Sequence, residues 1–174
     1  QYIAAALGSK VLQVWDLLSG QCIKTLSGHN AEVNCLLYNH CSSRIVSGSG
    51  DKMIRIWDSY NGQCKNVLKG HTSSITCLAF SHDGLKIASG SSDKTIRIWD
   101  FNTGECNSIL HGHANWIKSI SWSDDGKYIV SGSGDKTLRI WDVKSEVCIK
   151  ILHGHEAAIH TVGFITQSIF FSAS

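Results

Sequence analysis

Proline is absent from this sequence, and methionine occurs once. Without proline, no segment is barred from donating its N–H groups to a β-ladder, and a proline-rich linker is excluded. No apolar run approaches the roughly 18 residues that a membrane-crossing helix needs. No leader pattern opens the chain; the first residues, "QYIAAALGSK", read as the middle of a strand. A surplus of one charge sign is lacking too. The 16 Lys and Arg nearly balance the 14 Asp and Glu, and they are spread along the length. That gives neither a basic arm for nucleic acid nor a patch for a membrane surface. There is no Asn-x-Ser/Thr glycosylation acceptor, which agrees with an intracellular protein, cytoplasmic or nuclear.

Cysteine is plentiful, yet the pairings that would give it a task are missing. Cys22, Cys64, Cys106 and Cys148 recur every 42 residues, and Cys35 and Cys77 keep the same step. Equivalent positions of successive repeats lie a repeat-width apart, too far for a disulfide whose Cα atoms must come within about 7 Å. The expectation is therefore small buried apolar residues in a reducing compartment. No Cys-x-x-Cys occurs; His111-Gly-His113 and His153-Gly-His155 come nearest to a zinc motif without supplying converging ligands. Neither metal nor cofactor is expected.

The chain is rich in repetition. "SGSGDKMIRIWD" (47–58), "SGSSDKTIRIWD" (89–100) and "SGSGDKTLRIWD" (131–142) are near copies. Trp-Asp pairs stand at Trp15, Trp57, Trp99 and Trp141, and Gly-His pairs at His29, His71, His113 and His155, all in steps of 42. Inside each repeat the signals are strand and turn. Asp83-Gly84 and Asp125-Gly126 separate apolar stretches as hairpin turns do. "TIRIWD" alternates Ile96 and Ile98 with Arg97 and Trp99, a period of two. Ser19-Gly20, Asn61-Gly62 and Thr103-Gly104 turn the chain again, so each repeat holds about four short strands.

Four strands per 42 residues, marked by Gly-His and Trp-Asp, resemble the WD-repeat (WD40) family of β-propellers over essentially the whole chain. The resemblance implies an all-β fold in which four-stranded antiparallel sheets stand as blades around a channel. The division it suggests is a partial blade at 1–28, repeats at 29–70, 71–112 and 113–154, and a partial blade at 155–174. The family's tetrad of His, Ser or Thr, Asp and Trp falls here on His29, Ser47, Asp51 and Trp57. The next sets are His71, Ser89, Asp93 and Trp99, then His113, Ser131, Asp135 and Trp141. A buried indole N–H and a buried carboxylate both need partners, and one linked network serves them together. Gly48, Gly90 and Gly132, beside the tetrad serines, are expected to permit close packing or a bulge.

Ser, His and Asp also make a hydrolase triad, but catalytic groups are not stamped alike into successive repeats. "SGSG" is no Gly-x-Ser-x-Gly elbow, and "SGSGDK" lacks the third glycine of a dinucleotide loop. The chain is read as not an enzyme. Function is sought where repeats differ. By the family's register the partner-facing positions are Glu32, Asn34 and Gly50; Ser74, Thr76 and Ser92; Trp116, Lys118 and Gly134; and Ala158 and His160. Trp116 stands out as an aromatic anchor beside Lys118 and Glu32. Lys10, Lys52, Lys94 and Lys136 follow the turns and read as solvated surface.

Some positions depart from the pattern. Ala5 and Ser9 replace the tetrad Ser and Asp of the first repeat, the last repeat has His155 and Ser172 without Trp-Asp, and Glu146 replaces the turn glycine. His40, His82 and Asp124 stand where the family often has proline. A ring of this family needs more blades than three, so the chain reads as a segment of a longer protein; a self-closed ring and a ring shared by two chains are the alternatives. Unpaired blade edges would offer self-association. The function implied is a non-catalytic scaffold binding peptide segments of other proteins. The alternative is a regulatory, sensor or substrate-receptor module of a larger protein, such as a ubiquitin-ligase receptor or signalling ATPase.

Overall fold

Alternating residues of the "RIWD" type cannot gather one apolar helical face, but as strands they offer two faces for burial. The computed structural model describes residues 2–6, 8–39, 41, 43–165 and 169–174, and among them every regular element is a strand. The first sheet holds β1 (Tyr2–Ala5), β2 (Val11–Asp16) and β3 (Cys22–Ser27). The second is β4 (Val33–Tyr38), β5 (Arg44–Ser49), β6 (Ile54–Asp58) and β7 (Cys64–Leu68). The third is β8 (Ile75–Phe80), β9 (Lys86–Ser91), β10 (Ile96–Asp100) and β11 (Cys106–Leu110). The fourth is β12 (Ile117–Trp122), β13 (Tyr128–Ser133), β14 (Leu138–Asp142) and β15 (Val147–Leu152), and the fifth pairs β16 (Thr161–Phe164) with β17 (Phe170–Ala173). All pairings are antiparallel and follow chain order, so three complete four-stranded blades stand between two smaller sheets.

The core lies between blades. Ile96 and Ile98 of the third blade pack forward on Ile117, Ile120, Ile129 and Trp141 of the fourth. Trp99, on the opposite face of the same strand, packs back on Val46, Ile54, Ile56 and Leu68 of the second. Each internal blade is thus buried on both faces, which is why no repeat has a core of its own. The end faces show the converse. Ile45 is 0% exposed against the first sheet, whereas its counterpart Ile3, on the outward face of that sheet, is 50% exposed.

Two backbone devices repeat. The pairing of first and second strands slips by one residue between Val33 and Cys35, between Ile75 and Cys77, and between Ile117 and Ser119. The extra residues are Asn34, Thr76 and Lys118, and a bulge of this kind re-aims a side chain. Opposite the slip sit Gly48, Gly90 and Gly132, each with the next blade's isoleucine so close that a Cβ would fall 2.5–2.6 Å from its Cγ2. Close packing and bulge therefore occur at one place. In the tetrad turns Lys52, Lys94 and Lys136 hold φ of 73°, 72° and 68°, and Glu146 adopts 61° where Gly20, Gly62 and Gly104 stand in other repeats.

The cysteine expectation needs correction. Cys22, Cys64 and Cys106 are exposed, because each opens the outermost strand of its sheet, at the solvent edge; Cys148, the second residue of β15, is half-buried. Cys35 and Cys77 on the inner strands, and Cys148, pack half-buried against the inter-blade cores; burial pushes the Cys35 and Cys77 thiols up, that of Cys77 to about 12. All seven thiols are free. Of the positions where the family often has proline, His40 lies outside the described residues. After His82 and Asp124 the hairpins are held by serine: Ser81 Oγ donates to Asp83 at 2.6 Å, and Ser123 Oγ to Asp125 at 2.7 Å.

Candidate functional site

The tetrad residues come from three places: the His from the loop before the first strand, the Ser from the second strand, and the Asp and Trp from the turn and third strand. In the second blade Trp57 Nε1 donates to Ser47 Oγ at 2.8 Å, and His29 lies 2.8 Å from both Ser47 Oγ and Asp51 Oδ2. The third and fourth blades repeat this within 0.1 Å at His71, Ser89, Asp93, Trp99 and at His113, Ser131, Asp135, Trp141. A carboxylate only accepts, so Nδ1 of each His carries the proton and Nε2 receives the serine hydroxyl. Donation runs one way, Trp to Ser to His to Asp, with no donor left over. Each Asp also accepts backbone N–H groups; Asp51 takes those of Asn30 and Met53, both at 3.0 Å. The turn is thereby tied to the loop before the first strand. In the fifth sheet His155 reaches Ser172 and Ser174, both at 2.9 Å.

The chain of bonds has a consequence for single substitutions. His71→Ala strands a serine hydroxyl and a carboxylate together, and should lower stability by about 1–3 kcal/mol. A thermal melt of the variant checks this, and an unchanged melting temperature would remove the His from the stabilising role.

The same groups set a pH dependence. Burial lowers the pKa of His71 below its ordinary 6.5, the hydrogen bond to Asp93 only partly opposing it while Arg97 adds to it. His29 and His113 are lowered in the same way. Burial of Asp93 resists ionisation, but bonds from Thr95, the Thr72 amide and His71 outweigh it and hold the carboxyl at about 2. Both kinds of group bind protons more readily when unfolded. The imidazole contribution is complete above about 6.5 and falls as pH drops below it; the carboxylate contribution is complete above about 3.8 and is lost towards 2. Melting temperature should therefore hold from pH 7.5 to about 6.5 and fall from there towards pH 4. A flat profile over that range would contradict the neutral-imidazole assignment.

The variable positions gather at the same end of the blades as the tetrad turns, here called the upper rim. Backbone bonds weld turn to loop there: Gly50 N–H donates to Glu32 O at 2.8 Å, Ser92 N–H to Ser74 O at 2.9 Å, and Gly134 N–H to Trp116 O at 2.9 Å. A shallow concavity of about 400 Å³ is lined by Asn34, Ser74, Thr76, Ser92, Trp116 and Lys118. Trp116 is 51% exposed, and Lys118 Nζ stands 5.7 Å from its ring centroid. Glu32 and His160 are exposed on the same rim; His160 N–H donates to Ala173 O.

Asn34 and Thr76 have a second employment that the register did not reveal. Asn34 Nδ2 donates to Ile75 O at 2.8 Å, and Thr76 Oγ1 to Ile117 O at 2.6 Å, each spanning to the next blade. Their bulges point them sideways, so their polar atoms already join neighbours. Lys118, the third bulge residue, instead covers Trp116. No cluster of three or more His, Cys, Asp or Glu able to hold a metal occurs among the described residues, and no described helix is long and apolar enough to cross a membrane.

Known proteins share this pattern. The family model described as "WD domain, G-beta repeat" matches residues 20–58, 62–100 and 104–142. A stretch of 39 residues is 41% identical to part of the Nuclear distribution protein PAC1 of Mycosarcoma maydis. That stretch is 22% of this chain and 9% of the relative, so the likeness covers a small share of both.

Proposed function

We propose, from the premise that this chain belongs to the WD40 repeat family, that its upper rim binds peptide segments of partner proteins without chemical turnover. Repeats of this family form protein–protein interaction scaffolds. The observation that carries the finer reading is Trp116: half-exposed, backed by Lys118, and fixed by bonds through its own N–H and C=O to Asn115 and Gly134. An exposed aromatic on an anchored backbone, with two side-chain torsions to order, is what an interface hot spot offers. Glu32, Lys118 and His160 give the polar surround, Ser74 and Ser92 the floor. Asn34 and Thr76 shape the concavity through their bonds to the next blade. Free thiols at exposed Cys22, Cys64 and Cys106 support a reducing setting, cytoplasm or nucleus.

The experiment is selection of random peptides against the chain, followed by affinity measurement on variants. Selected peptides should lose about tenfold or more in affinity on Trp116→Ala, with no loss of melting temperature. Peptides that bind Trp116→Ala and Lys118→Ala as well as the unaltered chain would place recognition elsewhere.

A further inference from the structure

Charge that is spread evenly along the sequence is sorted by the fold. Successive strands run in opposite directions, so the Gly-His loops and tetrad turns lie at the upper rim of every sheet. The hairpins after first strands and the turns after third strands lie at the opposite, lower end. The upper end receives nine of the 16 Lys and Arg but only five of the 14 Asp and Glu. The lower end receives the remaining seven cations and nine carboxylates. A small net charge thus hides a positive surplus above and a negative one below.

The upper surplus is written into the repeat. The pattern Asp-Lys-x-x-Arg at 51–55, 93–97 and 135–139 brings two cations and one carboxylate to the upper end of each complete blade. Lys52, Lys94 and Lys136 are exposed in the tetrad turns. Arg55, Arg97 and Arg139 lie against the Gly-His loops, where a Cβ on Gly28, Gly70 or Gly112 would fall 3.4, 2.8 or 2.7 Å from their Nη1. The carboxylates turn inward: the side chains of Asp51, Asp93 and Asp135 are 5%, 7% and 10% exposed. Each accepts from its histidine and from the backbone N–H of Asn30, Thr72 or Ala114. They offset one of the two positive charges, yet present almost no carboxylate surface. Among the described residues, the Lys and Arg ion pairs with carboxylates are Arg44–Asp58 at 2.7 Å and Lys127–Asp125 at 3.2 Å, both at the lower end.

The concavity beside Trp116 lies in this field. Its lining of Asn34, Ser74, Thr76, Ser92, Trp116 and Lys118 holds one cation and no carboxylate. Lys94 follows Ser92 by two residues, and Lys136 follows by two Gly134, whose N–H donates to Trp116 O. The exposed carboxylates of this end, Glu32 and Glu156, stand outside the lining, in the loops before the second blade and the fifth sheet. We propose that the peptide segments taken by the upper rim are acidic, their Asp or Glu side chains lying over the third and fourth blades among Lys94, Lys118 and Lys136. This rests on the reading of the upper rim as the peptide site and adds the chemistry of the occupant. Glu32, at the second-blade flank, meets a residue of the segment that is not acidic and so sets the direction in which the segment lies.

The probes are the peptides selected from the random library, with binding read by fluorescence anisotropy. Peptides that need Trp116 should be enriched in Asp and Glu over the library, and should bind about tenfold or more weakly when those residues become Asn and Gln. Raising salt from about 0.05 to about 0.5 M should weaken them by a similar factor, because the surface charges are screened. Lys94→Glu with Lys136→Glu should do the same and keep the melting temperature, both side chains being exposed. Lys65→Glu with Lys144→Glu makes the same change of net charge at the lower end and should leave binding unaltered. Trp116-dependent peptides that lack acidic enrichment, or that ignore the Lys94 and Lys136 reversals, would overturn the acidic preference and leave the Trp116 site standing. Equal weakening by the two double reversals would reduce the effect to net charge and overturn it too. Peptides indifferent to Trp116→Ala would overturn the reading of the site itself.

Discussion

Trp99→Ala should destabilise the chain by about 3–5 kcal/mol, the range for removing a fully buried indole from a core that cannot collapse around the gap. Trp99 is 1% exposed and lies between Val46, Ile54, Ile56 and Leu68 of the preceding blade. Its loss acts on two links at once. The indole contact between blades disappears, and Ser89 loses the donor that held its hydroxyl oxygen at 2.8 Å. A domain of ordinary stability has about 5–15 kcal/mol in total, so the variant should be partly unfolded at 37 °C. Chemical denaturation followed by tryptophan fluorescence and circular dichroism measures it. Trp99→Phe separates the links, keeping much of the packing and removing the N–H, and should fall between the two. Equal stability of Trp99→Ala and the unaltered chain would mean that blades do not hold one another through these residues.

Gly90→Ala should destabilise by about 3 kcal/mol, at the upper end for overpacking, although it adds a single methyl group. The new Cβ would sit 2.5 Å from Cys77 Sγ, 2.6 Å from Ile117 Cγ2 and 2.9 Å from Ile117 Cβ. Cys77 is across the ladder in the same blade and Ile117 belongs to the next, so relief on one side tightens the other. The glycine thus fixes the distance between blades. Adding Cys77→Ala to the variant should recover part of the loss, since it clears one of the two contacts. Gly126→Ala is the comparison: nothing lies within 4 Å of its Cβ, and its only penalty is a left-handed φ of 68°. If Gly90→Ala melted as high as Gly126→Ala, the close approach would have no energetic weight.

What could be read from the sequence follows from what a repeat makes visible. Regular spacing of Trp57, Trp99 and Trp141 marks blades, because an indole must bury itself at the same place in each. The alternation Ile96, Arg97, Ile98, Trp99 marks strands, and His71, Ser89, Asp93 and Trp99 are polar groups that need one another. Alternation assumes an unbroken ladder, and there the reading fails. The slip between Ile75 and Cys77 adds a residue, so Thr76 points at the next blade and bonds Ile117 O. Recurrence of Cys22, Cys64 and Cys106 shows that they share an environment, but not that the environment is the solvent edge. Twist, bulges and inter-blade distance belong to the backbone, and single positions carry little of that information.

The proposed function divides labour between residues: those that repeat hold the blades together, and those that differ are proposed to meet partners. A display library of single substitutions, sorted once for folded protein and once for binding of a selected peptide, tests it directly. Substitutions at His71, Ser89, Gly90 and Trp99 should lose both signals together, whereas those at Glu32, Trp116 and Lys118 should lose binding and keep the fold. Binding lost at the repeated positions in protein that remains folded, with no effect at Trp116, would contradict the account.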